Sequence, residues 1–252
     1  MKVSVFKLLI KTIPIAMVML IFSCSPTKEI RYEDVPKKET YETSPKLTFK
    51  PMEVRERELI SKLKISAIER INFVFDKRNN LINKGKLSTT KFDKKGFAIE
   101  TILYDEKGNI LNRFEYKYNS DGLRSQSLRY DKHNKLDKKF KYDYDIVGNK
   151  IKAFRYSIND KLEKYYEYEY DSKLNLILDE WYNVNGDLEF KIENDYDERG
   201  NKVVSYSYDA DGQLQNKVLY KYDDKREIII EEQNFDAADN QTGIVQYLYK
   251  YY

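Results

Sequence analysis

The stretch that decides the fold runs from residue 104 to residue 130 and reads YDEKGNILNRFEYKYNSDGLRSQSLRY. Its opening Tyr is followed by a second one after 14 residues and a third after 12 more. The same alternation of 12 and 14 residues runs from Phe92 to Tyr222. The chain therefore contains a 26-residue repeat made of two unequal units, and a fixed period of this length predicts one structural unit repeated along the chain.

We call the residues that carry this spacing the marker aromatics. They are Phe92, Tyr104, Tyr118, Tyr130, Tyr144, Tyr156, Tyr170, Tyr182, Tyr196, Tyr208 and Tyr222. Four residues after the marker, most copies have Gly, Asn or Asp, which tolerate a positive φ angle. This pattern predicts a left-handed residue in a hairpin turn of four or five residues. Leu174 and Arg226 occupy the position in two copies and predict weaker turns there.

Between the turns the sequence alternates with a period of two, as in the run RFEYKY at 113–118. This alternation is typical of a β-strand with one aromatic face and one charged face. The shorter units have an apolar residue seven positions after the marker, as at Ile151 and Ile177, and often another at ten. The change of parity between these two positions predicts a β-bulge.

Strands joined by tight turns run antiparallel. The sequence therefore predicts an all-β antiparallel meander of about twelve short strands from Phe75 onward, with a short helix over 52–63 before it. An open sheet of this size would be nearly 60 Å wide, and sheets that wide usually curl or close. We expect a spiral or a closed barrel, because a flat layer would leave the aromatic face exposed.

The N-terminus has the pattern of an export signal. Lys2, Lys7 and Lys11 precede an apolar run over 12–22, which is too short to be the ~20-residue helix that spans a membrane. The run ends in Ile-Phe-Ser-Cys24, and the whole segment resembles a bacterial lipoprotein signal. The resemblance implies cleavage before Cys24, lipidation of that cysteine and attachment to a membrane. The single Cys would then be unavailable for a disulfide.

The chain divides into four segments by composition: a signal peptide over 1–23, a lipid-anchored tether over 24–50, a helix with a lead-in strand over 51–74, and a repeat domain over 75–252. The three lysines of the signal account for the whole net charge of +3. The mature chain is therefore neutral, which argues against nucleic acid as a partner. We expect the bacterial cell envelope, at the outer membrane or cell surface rather than the periplasmic face of the inner membrane.

The element Tyr-Asp-x-x-Gly-Asn occurs at 104–109, 144–149 and 196–201. It resembles the YD repeats of the RHS family, and the resemblance covers about residues 75 to 249. That family forms spiralling β-sheet shells; its large members enclose toxins, and others act at cell surfaces in adhesion or sugar binding. This chain departs from the family in its alternation of 12 and 14 residues and is too short to enclose a toxin domain. The resemblance to the family is a better guide to the fold of this chain than to its activity.

The composition argues against an enzyme. One His and one Cys disfavour most metal sites and His-dependent nucleophilic chemistry. His133 falls in a turn, where we expect an exposed side chain. Acids in the turns, such as Asp209 and Asp211, lack the later Glu of a calcium loop and are explained by turn stabilisation. We therefore expect no cofactor, no metal and no catalytic residue.

Four tyrosines share one position of the repeat: Tyr116, Tyr142, Tyr168 and Tyr220. They can fill the core of a curved sheet, or they can form a flat, hydrogen-bonding platform for a glycan or a protein. Trp181 has the opposite parity to Tyr182, which predicts a position on the charged face, where it could stack on a sugar.

These observations favour a non-catalytic, lipid-anchored envelope protein that binds a glycan or protein ligand through its repeats. A structural spacer or assembly scaffold without a specific ligand is the alternative. An outer-membrane barrel is a third possibility, although strands of about eight residues are short for it.

Overall fold

The computed structural model describes residues 49–252, which form one closed antiparallel β-barrel of fourteen strands. The predicted signal peptide, Cys24 and all but the last two residues of the predicted tether lie outside the described residues. No helix within residues 49–252 has the length and apolar character needed to cross a membrane.

The elements follow one another without a crossover. Helix α1 spans Met52–Lys62, as the sequence predicts. The strands are β1 (Ile65–Phe75), β2 (Leu81–Phe92), β3 (Ala98–Tyr104), β4 (Ile110–Tyr118), β5 (Arg124–Tyr130), β6 (Leu136–Tyr144), β7 (Lys150–Ser157), β8 (Leu162–Tyr170), β9 (Leu176–Asn183), β10 (Leu188–Tyr196), β11 (Lys202–Asp209), β12 (Leu214–Asp223), β13 (Ile228–Asp236) and β14 (Gln241–Tyr251).

Each strand pairs with its neighbours in sequence, and β1 pairs with β14 to close the barrel. The predicted all-β antiparallel meander is therefore confirmed, with a closed barrel as its form. Thirteen strands, β2–β14, follow Phe75, close to the expected number of about twelve. Strand β1, predicted only as a lead-in, is part of the wall, and its residues 67–74 pair continuously with 243–250. Closure removes both sheet edges, which would otherwise offer unpaired backbone groups.

The turns have the predicted conformation. In the turn after Tyr104, the Asp105 N–H donates to the Asn109 carbonyl at 2.9 Å, and Gly108 has a φ of 80°. The Asp105 carboxylate accepts the backbone N–H of Lys107 and of Asn109, so the turn acid stabilises its own turn. Even Leu174 adopts a φ of 61°.

The last turn of this series departs from the others, because its left-handed residue comes one position later. Glu227 has a φ of 57°, one residue after Arg226, at which the sequence predicts a weaker turn.

The predicted bulge is present, and it recurs in nearly every hairpin. Asp143 pairs with Lys152 and Tyr144 pairs with Lys150, so Ile151, seven residues after the marker, is the extra residue. The hairpins on either side repeat this arrangement. As a result, the marker aromatics of alternate strands point to opposite faces of the sheet.

Helix α1 identifies the inner face of the barrel. Its Glu53 contacts Lys150 at 3.0 Å, and the hydroxyl of Tyr196 lies 3.8 Å from the sulfur of Met52. Five tyrosines on this face donate to a backbone carbonyl twenty residues earlier, which satisfies each hydroxyl inside the wall. The pairs are Tyr118 to Ala98, Tyr144 to Arg124, Tyr170 to Lys150, Tyr196 to Leu176 and Tyr249 to Ile229, at 2.5 to 2.9 Å.

The same helix lies across one mouth of the barrel. Arg55 donates to the Asn175 side chain at 2.8 Å, and Arg57 donates to the Gly122 carbonyl at 2.7 Å while lying 4.5 Å from the centre of the Phe97 ring. Gly96 has no room for a side chain, because a Cβ would clash with the Arg57 backbone. One mouth of the barrel is therefore capped.

A hydrophobic cluster lies on the outer face of the barrel. Phe154, Tyr156, Leu162 and Tyr165 are buried there, and Tyr165 stacks on Tyr182 with ring centres 4.9 Å apart. Long side chains of flanking strands cover the cluster, and the ammonium of Lys141 lies 5.3 Å from the centre of the Tyr156 ring. Part of the apolar packing is thus on the outer side of the wall.

We predict that Arg57→Ala destabilises the protein by about 1–3 kcal/mol, because it removes a charge-assisted hydrogen bond and a cation–π contact from the cap. Urea unfolding measures the change. Arg199→Ala is the control, since the Arg199 side chain is 66% exposed and forms only a 3.6 Å ion pair with Asp197; it should change the stability by less than about 0.5 kcal/mol. Equal effects of the two substitutions would show that α1 does not hold the cap.

Candidate binding site in the barrel lumen

The barrel is wide enough to have an open lumen. Fourteen strands about 4.8 Å apart and tilted by about 40° give a backbone diameter of about 28 Å for a circular section. Eight-stranded barrels are filled by side chains, whereas barrels of 16 to 18 strands leave an aqueous channel. Extensive backbone contacts join each described strand only to its sheet neighbours.

Glu56 of α1 shows the character of this space. Its side chain remains exposed. Burial among the surrounding protein atoms nevertheless raises the pKa of its carboxyl, and the nearby Glu53 raises this pKa further. A side chain that is both exposed and enclosed in this way fits a position that projects into a solvent-filled interior.

The four predicted tyrosines all face this lumen. Tyr116, Tyr142, Tyr168 and Tyr220 are half-buried, and each lies near the middle of its strand. Asn194 occupies the same repeat position in β10. Two of the hydroxyls have partners on the preceding strand: that of Tyr142 lies 2.6 Å from the Ser127 hydroxyl, and that of Tyr220 lies 3.1 Å from the Ser205 hydroxyl.

A second row of the repeat places cations over these rings. The Arg124 guanidinium lies 4.3 Å from the centre of the Tyr116 ring, and the Lys150 ammonium lies 4.7 Å from that of Tyr168. Lys202 lies 5.2 Å from the Tyr220 ring centre. At the equivalent position the residue is Leu176 in β9, Ala98 in β3 and Ile229 in β13, so the row of cations is interrupted at these strands.

Trp181 lies on the lumenal face, and its predicted position on the charged face was wrong. It pairs with Tyr166 across β8 and β9, with ring centres 5.6 Å apart, and its ring centre lies 5.0 Å from that of Phe190. The parity argument failed because the bulge turns the marker aromatic Tyr182 outward, which turns its neighbour inward. Trp181 therefore shares a surface with the tyrosine row.

Asp179 is a lumenal residue that the sequence analysis missed. It pairs directly with Tyr168, and its carboxylate accepts the indole N–H of Trp181 at 2.9 Å. Burial raises the pKa of Asp179 to about 6, although Lys150 and the indole N–H act in the opposite direction. The signal was available in the repeat, because Asp179 stands where other copies have Ser127, Ala153 and Ser205, and only β13 among these equivalent strands also has an acid there, Glu232.

Several lumenal residues around β9 break the repeat. We define the β9 sector as Leu176, Asp179 and Trp181 of β9, together with Tyr168 of β8 and Asn194 of β10. The positions equivalent to Leu176, Asp179 and Trp181 are Arg124, Ser127 and Arg129 in β5, and Lys150, Ala153 and Arg155 in β7. In β11 they are Lys202, Ser205 and Ser207. Compared with β5 and β7, strand β9 thus replaces two lumenal cations by an aliphatic and an aromatic side chain and adds a carboxylate.

The other residues singled out by sequence lie away from this sector or outside the described chain. His133 is exposed in its turn, as predicted. The carboxylate of Asp209 accepts the backbone N–H of Asp211 and of Gln213. Within residues 49–252, no group of three or more His, Cys, Asp or Glu side chains is placed to hold a metal ion. Cys24 lies outside the described residues.

No protein-family model matches the chain, and no curated protein is similar to it. Among solved structures, similar chains include the Photorhabdus luminescens Tc holotoxin pore with the TccC3-D651A mutation, at 14% identity and a TM-score of 0.30, over 70% of this chain and 11% of that chain. A porin-like protein from Bacteroides uniformis is 10% identical with a TM-score of 0.36, over 74% of this chain and 98% of that chain. TcdB2-TccC3 is 17% identical with a TM-score of 0.27, over 62% of this chain and 10% of that chain.

This chain therefore spans about a tenth of the length of the toxin chains that it matches. The TM-scores are too low to establish a common fold with these proteins.

We predict that the fluorescence of Trp181 titrates with a midpoint near pH 6, because its indole N–H donates to the carboxyl that has its pKa there. Trp181 is the only Trp of the chain, so the signal has a single source. Asp179→Asn should abolish the transition. Glu180→Gln, on the same strand but the opposite face, should leave it in place, and loss in both variants would contradict the assignment.

The raised pKa also predicts a stability change. An acid whose pKa is raised by folding stabilises the fold in its neutral form, and this contribution is lost as the pH rises from about 4 through about 6. Asp179→Asn should therefore raise the free energy of unfolding by about 1–2 kcal/mol at pH 7.5 and have little effect at pH 4. Urea unfolding at both pH values measures this. A destabilised Asn variant at pH 7.5 would contradict it.

Proposed function

We propose that this protein is a lipid-anchored protein of a bacterial cell envelope that binds a glycan inside its barrel and catalyses no reaction. One observation carries the proposal: the repeat places Tyr116, Tyr142, Tyr168 and Tyr220 at one level of the lumenal wall, with Trp181 beside them. A barrel that only needed a filled interior would not keep large aromatic side chains half-exposed to an open lumen.

The chemistry of this wall suits a sugar. Aromatic rings can cover the apolar C–H faces of a pyranose, and hydroxyl and amide groups can exchange hydrogen bonds with its hydroxyls. The tyrosines offer both a ring and a hydroxyl, and the buried side chains of Ser127, Asn194 and Ser205 form hydrogen bonds beneath them. The Ser205 hydroxyl donates to the Asn194 side chain at 2.5 Å, which orients that amide within the wall.

The shape of the barrel favours a glycan over a protein ligand. Helix α1 lies across one mouth, so a ligand must enter through the other one, between the turns that include 131–135 and 157–161. A folded protein is too large for an interior whose backbone diameter is about 28 Å and whose wall carries aromatic side chains. An oligosaccharide or the end of a glycan chain fits such a space.

The outer face argues against a membrane-spanning barrel. Lys141, Glu167, Glu180 and Lys191 lie near mid-strand on this face. A charged side chain facing lipid at the midplane costs about 2–4 kcal/mol for Lys or Arg and somewhat less for Glu or Asp. Attachment through a lipid on Cys24 needs no such face, and the YD-type elements support kinship with RHS-like repeat proteins of the cell surface.

Trp181 provides the assay. We predict that a glycan ligand changes the fluorescence of Trp181 in the full chain, and a panel of oligosaccharides from bacterial peptidoglycan and surface polysaccharides is the set to titrate. Tyr168→Ala should weaken the binding about tenfold, because it removes one ring of the platform. Tyr208→Ala is the matched control, since Tyr208 lies on the outer face beside Lys191.

Equal loss in the two variants would contradict a lumenal site. If no glycan of the panel changes the fluorescence or binds by calorimetry, the structural spacer without a ligand becomes the better description of the protein.

A further inference from the structure

We infer that the β9 sector is a subsite for a cationic group, so that the glycan bound in the lumen carries a protonated amine, as an amino sugar does. The inference rests on the proposed glycan binding and adds the chemical class of the ligand. Its basis is the local change of charge in β9 relative to β5 and β7, together with a carboxylate that has no ion pair within the described part of the chain.

The repeat supplies an internal comparison. At the lumenal positions equivalent to Leu176 and Trp181, strand β5 has Arg124 and Arg129, and strand β7 has Lys150 and Arg155. Strand β11 has Lys202 and Ser207 there. Relative to β5 and β7, two cations are thus replaced in β9 by an aliphatic and an aromatic side chain. Asp179 then adds a negative charge at a position where the neighbouring repeats have Ser or Ala. The lumenal face of β9 is therefore negatively charged, whereas those of β5 and β7 are positively charged.

Asp179 lacks the ionic partner that other lumenal acids have. Glu53 lies 3.0 Å from Lys150, and Glu232 lies 2.6 Å from Arg70. Within residues 49–252, Asp179 forms no ion pair. Its carboxylate accepts a hydrogen bond from the Trp181 indole N–H. A carboxylate that is partly removed from water without a countercharge disfavours its own ionised form. A cation supplied by a ligand would compensate this cost.

The surrounding rings suit the same group. Tyr166 and Tyr168 lie on the strand next to Asp179, and Trp181 packs edge-on against Tyr166. An ammonium group is attracted both to a carboxylate and to the faces of aromatic rings. A neutral sugar would use the rings but would leave the carboxylate without an ion-pair partner.

Two cations face Asp179 from other strands, and helix α1 offsets both. Lys150 of β7 is bonded to Glu53, and Lys202 of β11 interacts with Glu56. Glu180, on the same strand, adds a negative charge nearby. The repulsion that the two lysines would exert on a cationic ligand is therefore reduced by the acids of the cap.

The charge state of Asp179 sets the pH range in which the subsite works. Because burial raises the pKa of Asp179 to about 6, the carboxyl is ionised at neutral pH and becomes neutral below that value. A bound cation favours the ionised form, so affinity for a cation should fall as the pH decreases through 6.

The test compares two ligands that differ in charge: a hexamer of β-1,4-linked glucosamine and its fully N-acetylated counterpart. Both are titrated into the full chain near neutral pH, with Trp181 fluorescence and calorimetry as readouts. We expect the glucosamine hexamer to bind about tenfold more tightly. Asp179→Asn should remove this preference, so that the two hexamers bind with similar affinity to the variant, and Glu180→Gln should preserve the preference.

Each other outcome overturns the inference. Equal affinity of the two hexamers, an unchanged preference in Asp179→Asn, or no binding of the glucosamine hexamer to the wild-type protein would do so. Binding of the acetylated hexamer or of another neutral glycan in the same lumen would leave the proposed function in place. Urea unfolding of Asp179→Asn shows that the variant is folded, because it is expected to be at least as stable as the wild type near neutral pH.

Discussion

The extra residue that nearly every hairpin inserts seven positions after its marker aromatic decides which side chains face the lumen. In the hairpin of β6 and β7, Ile151 is that residue, and the pairing shifts from Asp143–Lys152 to Tyr144–Lys150. Without the bulge, a strict alternation would send every marker aromatic to one face. With it, Tyr144 points inward, where its hydroxyl bonds the Arg124 carbonyl, while Tyr156 joins the outer cluster. The two unequal units of the repeat reflect this constraint, because their marker aromatics point to opposite faces of the sheet.

Closure and capping depend on the irregular ends of the repeat. Strand β1 has no marker spacing, yet it pairs along almost its whole length with β14 and so removes both edges of the sheet. Helix α1 precedes it and binds the turns of several hairpins through Arg55 and Arg57. A meander with identical units would have no such preference for one end, because only the terminal segments distinguish the first strand from the last. The result is a barrel with one mouth closed.

The periodic features of the chain could be predicted from sequence, because each depends on local chemistry. The strands, the left-handed turns and the bulge follow from residues within one unit, and the helix was placed within a residue of Met52–Lys62. Closure through β1 depends on a pairing between the two ends, which no local pattern shows. The common face of Tyr116 and Tyr142 was predicted, but Trp181 was placed on the wrong face, since the parity change was not carried through to β9. Asp179 was missed because the small residues Ser127, Ala153 and Ser205 at its repeat position do not indicate a functional site.

A repeat protein carries its own reference for what the fold requires. Ser127 and Ser205 show that a small hydroxyl suffices opposite a lumenal neighbour, and Arg129 and Arg155 show that a cation is accommodated where Trp181 stands. Strand β9 departs from both. The departure brings a carboxyl whose pKa is raised to about 6 by burial, so it opposes folding at neutral pH. A residue that the fold does not need, and that weakens it, is explained more simply by a ligand than by architecture. For that reason the β9 sector, rather than the regular tyrosine row, is where we place the selectivity of the lumen.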